Sequence, residues 1–134
     1  METMQAFKLR PTELTPEVVF NSSKNVYLIS GKSLMPEPDN FYRPIIEAFE
    51  VFTSIPPKEI TFIFSIDYFN IPSLKRVMFI LYRLKDLKDN GSDVKLKWNY
   101  SNTDALEMGE MAEKMLGLNV TYSELKSEEV EQVA

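Results

Sequence analysis

The sequence predicts one α/β domain: an N-terminal β-hairpin, then alternating strands and helices in the order β-β-α-β-α-β-α-β. The sheet should be mixed but mostly parallel, with helices packed on it. Three observations predict this. The chain has 134 residues, the length of one domain. Short β-branched and aromatic runs alternate with segments whose apolar residues recur at helical spacing. The run Ile60–Phe69 is almost continuously apolar, as expected of a strand buried on both faces.

Residues 1–17 mix polar residues with Pro11 and Pro16 and read as a loose N-terminal arm. Val18-Val19-Phe20 and Val26-Tyr27-Leu28-Ile29 flank a polar stretch and read as the hairpin. Ser30 to Asp39 holds one Gly and two Pro residues and reads as a loop. Asp39 or Asn40 can cap the next helix, whose apolar stripe is Phe41, Ile45, Ala48, Phe49 and Phe52, with Pro44 expected in its first turn. After the strand over 60–69, Asn70 to Ser73 is a turn, with Ser73 as N-cap of a helix from Leu74 to about Lys88. Leu74, Val77, Met78, Leu81, Leu84 and Leu87 form its buried stripe; Lys75, Arg76, Arg83, Lys85 and Lys88 form its wet face. Asp89-Asn90-Gly91 stops it. Val94 to Tyr100 alternates strictly and is a half-exposed strand. A third helix follows Ser101–Asp104, ends at Gly117, and carries Met108, Met111, Ala112 and Met115 on one side, read as core filler or as an adaptable docking face. Val120-Thr121-Tyr122 is the last strand. The domain therefore spans 18–123, and 124–134 is an acidic C-terminal tail.

Composition removes whole classes of chemistry. The chain has no Cys and no His, so thiol nucleophiles, thiolate metal sites, Ser-His-Asp triads and His-ligated metals are excluded. Its net charge of −5 offers no footprint for a phosphate backbone, so nucleic acid is not an expected partner. No apolar run is long enough to span a bilayer and no secretory signal opens the chain, so a cytoplasmic protein without membrane contact is expected.

In an open α/β sheet, sites gather at the carboxyl ends of the strands. That edge should collect Ser30–Ser33, Asp67–Ser73 and Asn99–Asp104. No glycine-rich phosphate cradle is present: Gly31 stands alone. Asp67 and Asp104 could converge to bind a divalent ion in a small hydrolase, or could simply end a strand and face a helix dipole. Ser73 is either a capping residue or a phosphorylation site close to Lys75 and Arg76. Neither a cofactor nor a resident metal is expected.

The motifs resemble a known family. Ile29-Ser30-Gly31-Lys32-Ser33-Leu34-Met35-Pro36-Glu37 followed by Phe41-Tyr42-Arg43-Pro44 resembles the opening block of the SiaC family of regulatory phosphoproteins. Tyr68-Phe69-Asn70 with Ser73 and Lys75 resembles its central block, and Trp98-Asn99-Tyr100, Asp104, Met108 and Gly109-Glu110 its closing block. The resemblance spans roughly 18–122. It implies a small bacterial α/β protein related in shape to anti-sigma-factor antagonists of the STAS type. It implies no enzymatic activity, a Ser/Thr kinase and a phosphatase as partners, and a diguanylate cyclase as the enzyme regulated, hence cyclic-di-GMP and biofilm control. A STAS-like antagonist that binds a Ser/Thr kinase is the alternative.

One departure matters. The family's acceptor is the Thr directly after Tyr-Phe-Asn, and here that position is Ile71, followed by Pro72. Phosphorylation has then either moved to Ser73 or been lost, the turn being stiffened by Ile and Pro. The expected partner-binding residues are Gly31, Ser33, Pro36 and Glu37 from the loop, and Tyr68, Asn70, Ile71, Pro72, Ser73 and Lys75 from the bend.

Overall fold

The computed structural model describes residues 6–125. The elements are β1 (Ala6–Leu9), β2 (Glu17–Asn21), β3 (Val26–Ser33), α1 (Asp39–Phe52), β4 (Glu59–Phe69), α2 (Ile71–Asp89), β5 (Asp93–Tyr100), α3 (Thr103–Leu116) and β6 (Val120–Glu124). They build one six-stranded sheet in the order β1-β2-β3-β4-β5-β6. The first two pairings are antiparallel and the last three parallel. This is the expected single α/β domain with a mixed sheet.

The strand order decides where the helices lie. Each crossover, β3-α1-β4, β4-α2-β5 and β5-α3-β6, steps to the next strand in the same direction. Right-handed crossovers that all step the same way put every helix on one face. The buried residues confirm it. Phe20, Tyr27, Phe62, Leu96 and Val120 form one buried row across the sheet, and Val18, Ile29, Phe64 and Trp98 form the next. Helix residues Tyr42, Ile45, Phe49, Val77, Ile80, Leu81, Leu84, Ala105 and Ala112 close over them. Rings dominate the contact: Phe62 stacks on Phe64 at 4.5 Å between centroids, and Phe49 meets Tyr27 edge-on at 5.0 Å.

Several sequence expectations are corrected here. The central strand is not covered on both faces: Ile60, Phe62, Phe64 and Ile66 are buried, while Thr61, Ile63 and Ser65 are only half-buried on the uncovered side. The expected loose arm contributes an edge strand, because Phe7 and Leu9 alternate onto the core face and Phe7 packs on Phe20 at 5.8 Å. Residues 1–5 of that arm, and the expected tail from residue 126 onward, lie outside the described residues. β3 runs on to Ser33 where a loop from Ser30 was expected. Gly31 at φ +114° absorbs the register shift at Gly31/Lys32 that keeps the strand paired.

Helix starts also shift. Neither Asp39 nor Asn40 caps α1: its N-cap is Pro38, with no side-chain cap, and Asp39 lies inside the first turn. Pro44 sits in the second turn, not the first, so no N–H is available there for the Asn40 carbonyl. α2 starts three residues earlier than expected, because Asn70 rather than Ser73 is its cap. Gly117, in the left-handed region at φ +68°, ends α3 as expected.

Candidate functional site

The bend from β4 into α2 is set by Asn70. Its side-chain oxygen accepts the Ser73 N–H at 3.0 Å, an N-cap bond to the third helical residue. Its amide nitrogen donates to the Met35 carbonyl at 3.0 Å, and its backbone N–H donates to the Ser33 carbonyl at 2.9 Å. One side chain thus ties the bend to both β3 and the β3–α1 loop. Pro72 is tolerated because a first-turn N–H has no partner to lose.

Under the bend lies a closed hydroxyl chain. Ser33 and Ser73 are fully buried, as is Tyr42. The Ser73 hydroxyl donates to the Ser33 carbonyl at 3.1 Å and accepts from the Ser33 hydroxyl at 2.6 Å. The single Ser33 proton is used there, so the Tyr42 hydroxyl, 2.7 Å away, donates to Ser33. Burial pushes the Tyr42 phenol up, against the smaller opposing effect of the neighbouring Ser33 and Ser73 hydroxyls. It stays a neutral donor at physiological pH.

The two hydroxyl-position residues of the bend therefore face opposite ways. Ile71, at the first position of α2, is 60% exposed, and Tyr68 on β4 is 55% exposed. Ser73 is 0% exposed. Of the expected binding residues, Pro36, Glu37, Pro72 and Lys75 line one surface cleft of about 500 Å³ with Arg43 and Arg76. Tyr68 and Ile71 stand on the exposed surface, and Asn70 is half-buried as the cap. Ser33 and Ser73 are fully buried and out of a partner's reach, and Gly31 lies within β3, paired with Ile66 of β4.

Sequence reasoning missed a continuation of this surface. Phe79 and Tyr82 on α2 are each 51% exposed, on the face read as wet. Arg76 lies over the Phe79 ring, 5.7 Å from its centroid, and ion-pairs with Asp39 at 2.6 Å. The signal was present: positions 71, 75, 79 and 82 share one side of a helix, and three of the four are large and apolar.

Asp67 and Asp104 are both exposed. The Asp67 carbonyl accepts from the Ser101 hydroxyl and from Asn102 at 3.4 Å. Among the described residues no group of three or more His, Cys, Asp or Glu could hold a metal ion. Nor is any described helix long and apolar enough to cross a membrane.

The profile of the SiaC family regulatory phosphoproteins matches residues 9–124. The chain belongs to that family. Solved structures agree in fold. Apo-SiaC from Pseudomonas aeruginosa superposes with a TM-score of 0.80 at 20% identity, covering 90% of this chain and 99% of that one. A second structure of SiaC of Pseudomonas aeruginosa gives 0.81 at 20% identity, covering 91% and 100%. A crystal structure of the diguanylate cyclase SiaD in complex with its activator SiaC gives 0.79 at 20% identity, covering 89% and 99%. No curated protein matches the chain at a significant level. The chain is thus a regulatory, partner-binding type of protein.

Proposed function

We propose that this chain is a non-enzymatic regulator that docks on a diguanylate cyclase through the outer surface of the β4–α2 bend, and that its phospho-switch is lost. The observation that carries the reading is the opposed orientation of Ile71 and Ser73. Ile71 presents a methyl-rich, exposed surface where a family acceptor would present a hydroxyl. Ser73, the remaining hydroxyl of the bend, is enclosed and fully bonded. A phosphate there would bring about −1.5 to −2 charges and three acceptor oxygens to a fully buried position whose neighbours are the Ser33 hydroxyl and carbonyl and the Tyr42 phenol. The chain would then be a permanently unphosphorylated member, always competent to bind. The cyclase comes from the SiaC that superposes on this chain, which is described as the activator of SiaD.

The test compares Ile71→Asp with Lys88→Asp, a charge change on the exposed end of α2, in calorimetric titrations against a SiaD-type diguanylate cyclase and in assays of cyclase activation. Ile71→Asp places a carboxylate in the docking surface and should weaken binding at least tenfold, while Lys88→Asp stays near the parent. Equal affinities for the two variants would refute the docking site. Mass spectrometry after incubation with a Ser/Thr kinase that modifies a SiaC family member should find no phosphate on Ser73, and a stoichiometric Ser73 phosphate would refute the lost switch.

A further inference from the structure

We propose a second protein-binding surface, on the bare face of the sheet, shaped for an acidic amphipathic helix of a partner. It does not rest on the reading of the bend. Because all three helices lie on one side, one row crosses the six strands on the other: Lys8, Val19, Leu28, Ile63, Lys97 and Thr121. Val19, Leu28 and Ile63 are half-buried with no described element above them, and Lys8 and Lys97 are exposed at either side. Lys95 lies two residues from Lys97 on the same face. None of these three lysines has an ion-pair partner among the described residues.

The dimensions fit a helix. Strands are about 4.8 Å apart, so the three-strand apolar patch is about 10 Å wide, close to the diameter of a helix with its side chains. Lys8 and Lys97 are four strand spacings apart, about 19 Å, and so stand just outside the two flanks of a helix lying along β3. A helix with an apolar stripe bordered by carboxylates would put the stripe on Leu28 and Ile63 and its acids against Lys8 on one side and Lys95 and Lys97 on the other. The carboxylates of this face, Glu17, Glu59 and Asp93, lie at the ends of their strands and leave the central row purely cationic. Charge therefore selects an acidic partner, although the whole chain carries −5. Nucleic acid is not favoured, since the chain carries −5 and the aromatic ring this face offers, Tyr68, stands at the end of β4 away from the central row.

The experiment uses the full chain with methyl-labelled Ile and Leu, titrated with a synthetic helix bearing a leucine stripe flanked by Glu, and with the same helix carrying Lys instead. The Glu helix should move the Leu28 and Ile63 methyl resonances, bind at least tenfold more tightly than the Lys helix, and weaken with added salt. K95E/K97E, two exposed changes that leave the core untouched, should reduce its affinity at least tenfold, and Ile71→Asp should not change it. Absence of shifts at Leu28 and Ile63, equal binding of both helices, or shifts centred on Phe79 and Tyr82 would overturn the proposal. So would movement of the same methyls, without peptide, on deleting residues 126–134 or on diluting the protein, which would assign the face to this chain's own acidic tail or to a second copy.

Discussion

Removing the Ser73 hydroxyl tests the buried chain beneath the bend. The donor order runs from Tyr42 to Ser33 to Ser73 to the Ser33 carbonyl. In Ser73→Ala the Ser33 proton loses its acceptor. The Ser33 carbonyl is still served by the Asn70 N–H at 2.9 Å, so one polar group is orphaned, not two. Turning the Ser33 hydroxyl toward Tyr42 only passes the deficit on, since the Tyr42 proton then has nowhere to go. A buried unsatisfied donor costs about 1–3 kcal/mol, so Ser73→Ala should lower stability by that amount. For a domain of this size that is roughly 3–10 °C in Tm. The triple change Ser33→Ala, Ser73→Ala and Tyr42→Phe removes every member of the chain and orphans none, so it should cost less than the sum of the single changes. Urea unfolding followed by Trp98 fluorescence measures all four proteins. An unaffected Ser73→Ala, or strict additivity across the set, would refute the chain as described.

Two further outcomes follow from the core and the helix layer. Gly109→Ala would place a Cβ 2.7 Å from Cδ1 of the buried Trp98, whose indole N–H already donates to the Ala105 carbonyl at 2.7 Å, so unfolding should show a loss of about 1–3 kcal/mol from overpacking. Tyr27, pushed up to about 12 by burial, Tyr42, also pushed up by burial, and Tyr122, pushed up by burial and by its bond to the Glu113 carboxylate, hold their protons more tightly folded than unfolded; their stabilisation is complete below pH 10 and is lost as pH rises toward 12, so absorbance at about 295 nm should show three of the six tyrosines ionising later than the rest, with the buried Tyr27 and Tyr42 ionising as the chain unfolds.

Element type was legible in the sequence wherever hydrophobic periodicity ran long. Phe41 to Phe52, Ile60 to Phe69 and Val94 to Tyr100 each announce their structure through patterns that burial alone imposes. What failed were features decided by tertiary partners. β1 needs only Phe7 and Leu9 to reach Phe20 and Val18, too short a pattern to read beside two prolines. Asn70 outcompetes Ser73 as the cap because its side chain serves the helix and the Met35 carbonyl at once, and the second role is a contact 35 residues away in sequence. One-sided cover of the sheet follows from strand order, which local spacing does not encode. Nothing in the local pattern calls for Gly109 inside α3; its reason is Trp98, eleven residues earlier on the neighbouring strand. The bend was singled out because polar residues crowd the carboxyl ends of parallel strands. The burial of Ser73 was not readable, since a hydroxyl at a helix start is equally suited to water and to a buried carbonyl.

The placement of Ser73 bears both on the fold's stability and on the proposed loss of a phospho-switch. A phosphorylatable residue must be reachable by a kinase and its phosphate must be hydrated or paired. At the first position of α2 both conditions hold: Ile71 projects outward, and Lys75 stands one turn further along the helix. At the third position neither holds, because the Ser73 side chain points back toward β3 and forms part of the packing that fixes the helix to the sheet. Charging it would require the bend to open, breaking the Asn70 cap and the Tyr42–Ser33 bond together. Ile71, 60% exposed and without a hydroxyl, offers apolar surface at that first position and no group for a kinase to modify. If the proposed reading of the bend holds, a partner that docks there meets an apolar Ile71 in place of a modifiable hydroxyl, and control of the complex passes to protein concentration or to the partner's own conformation.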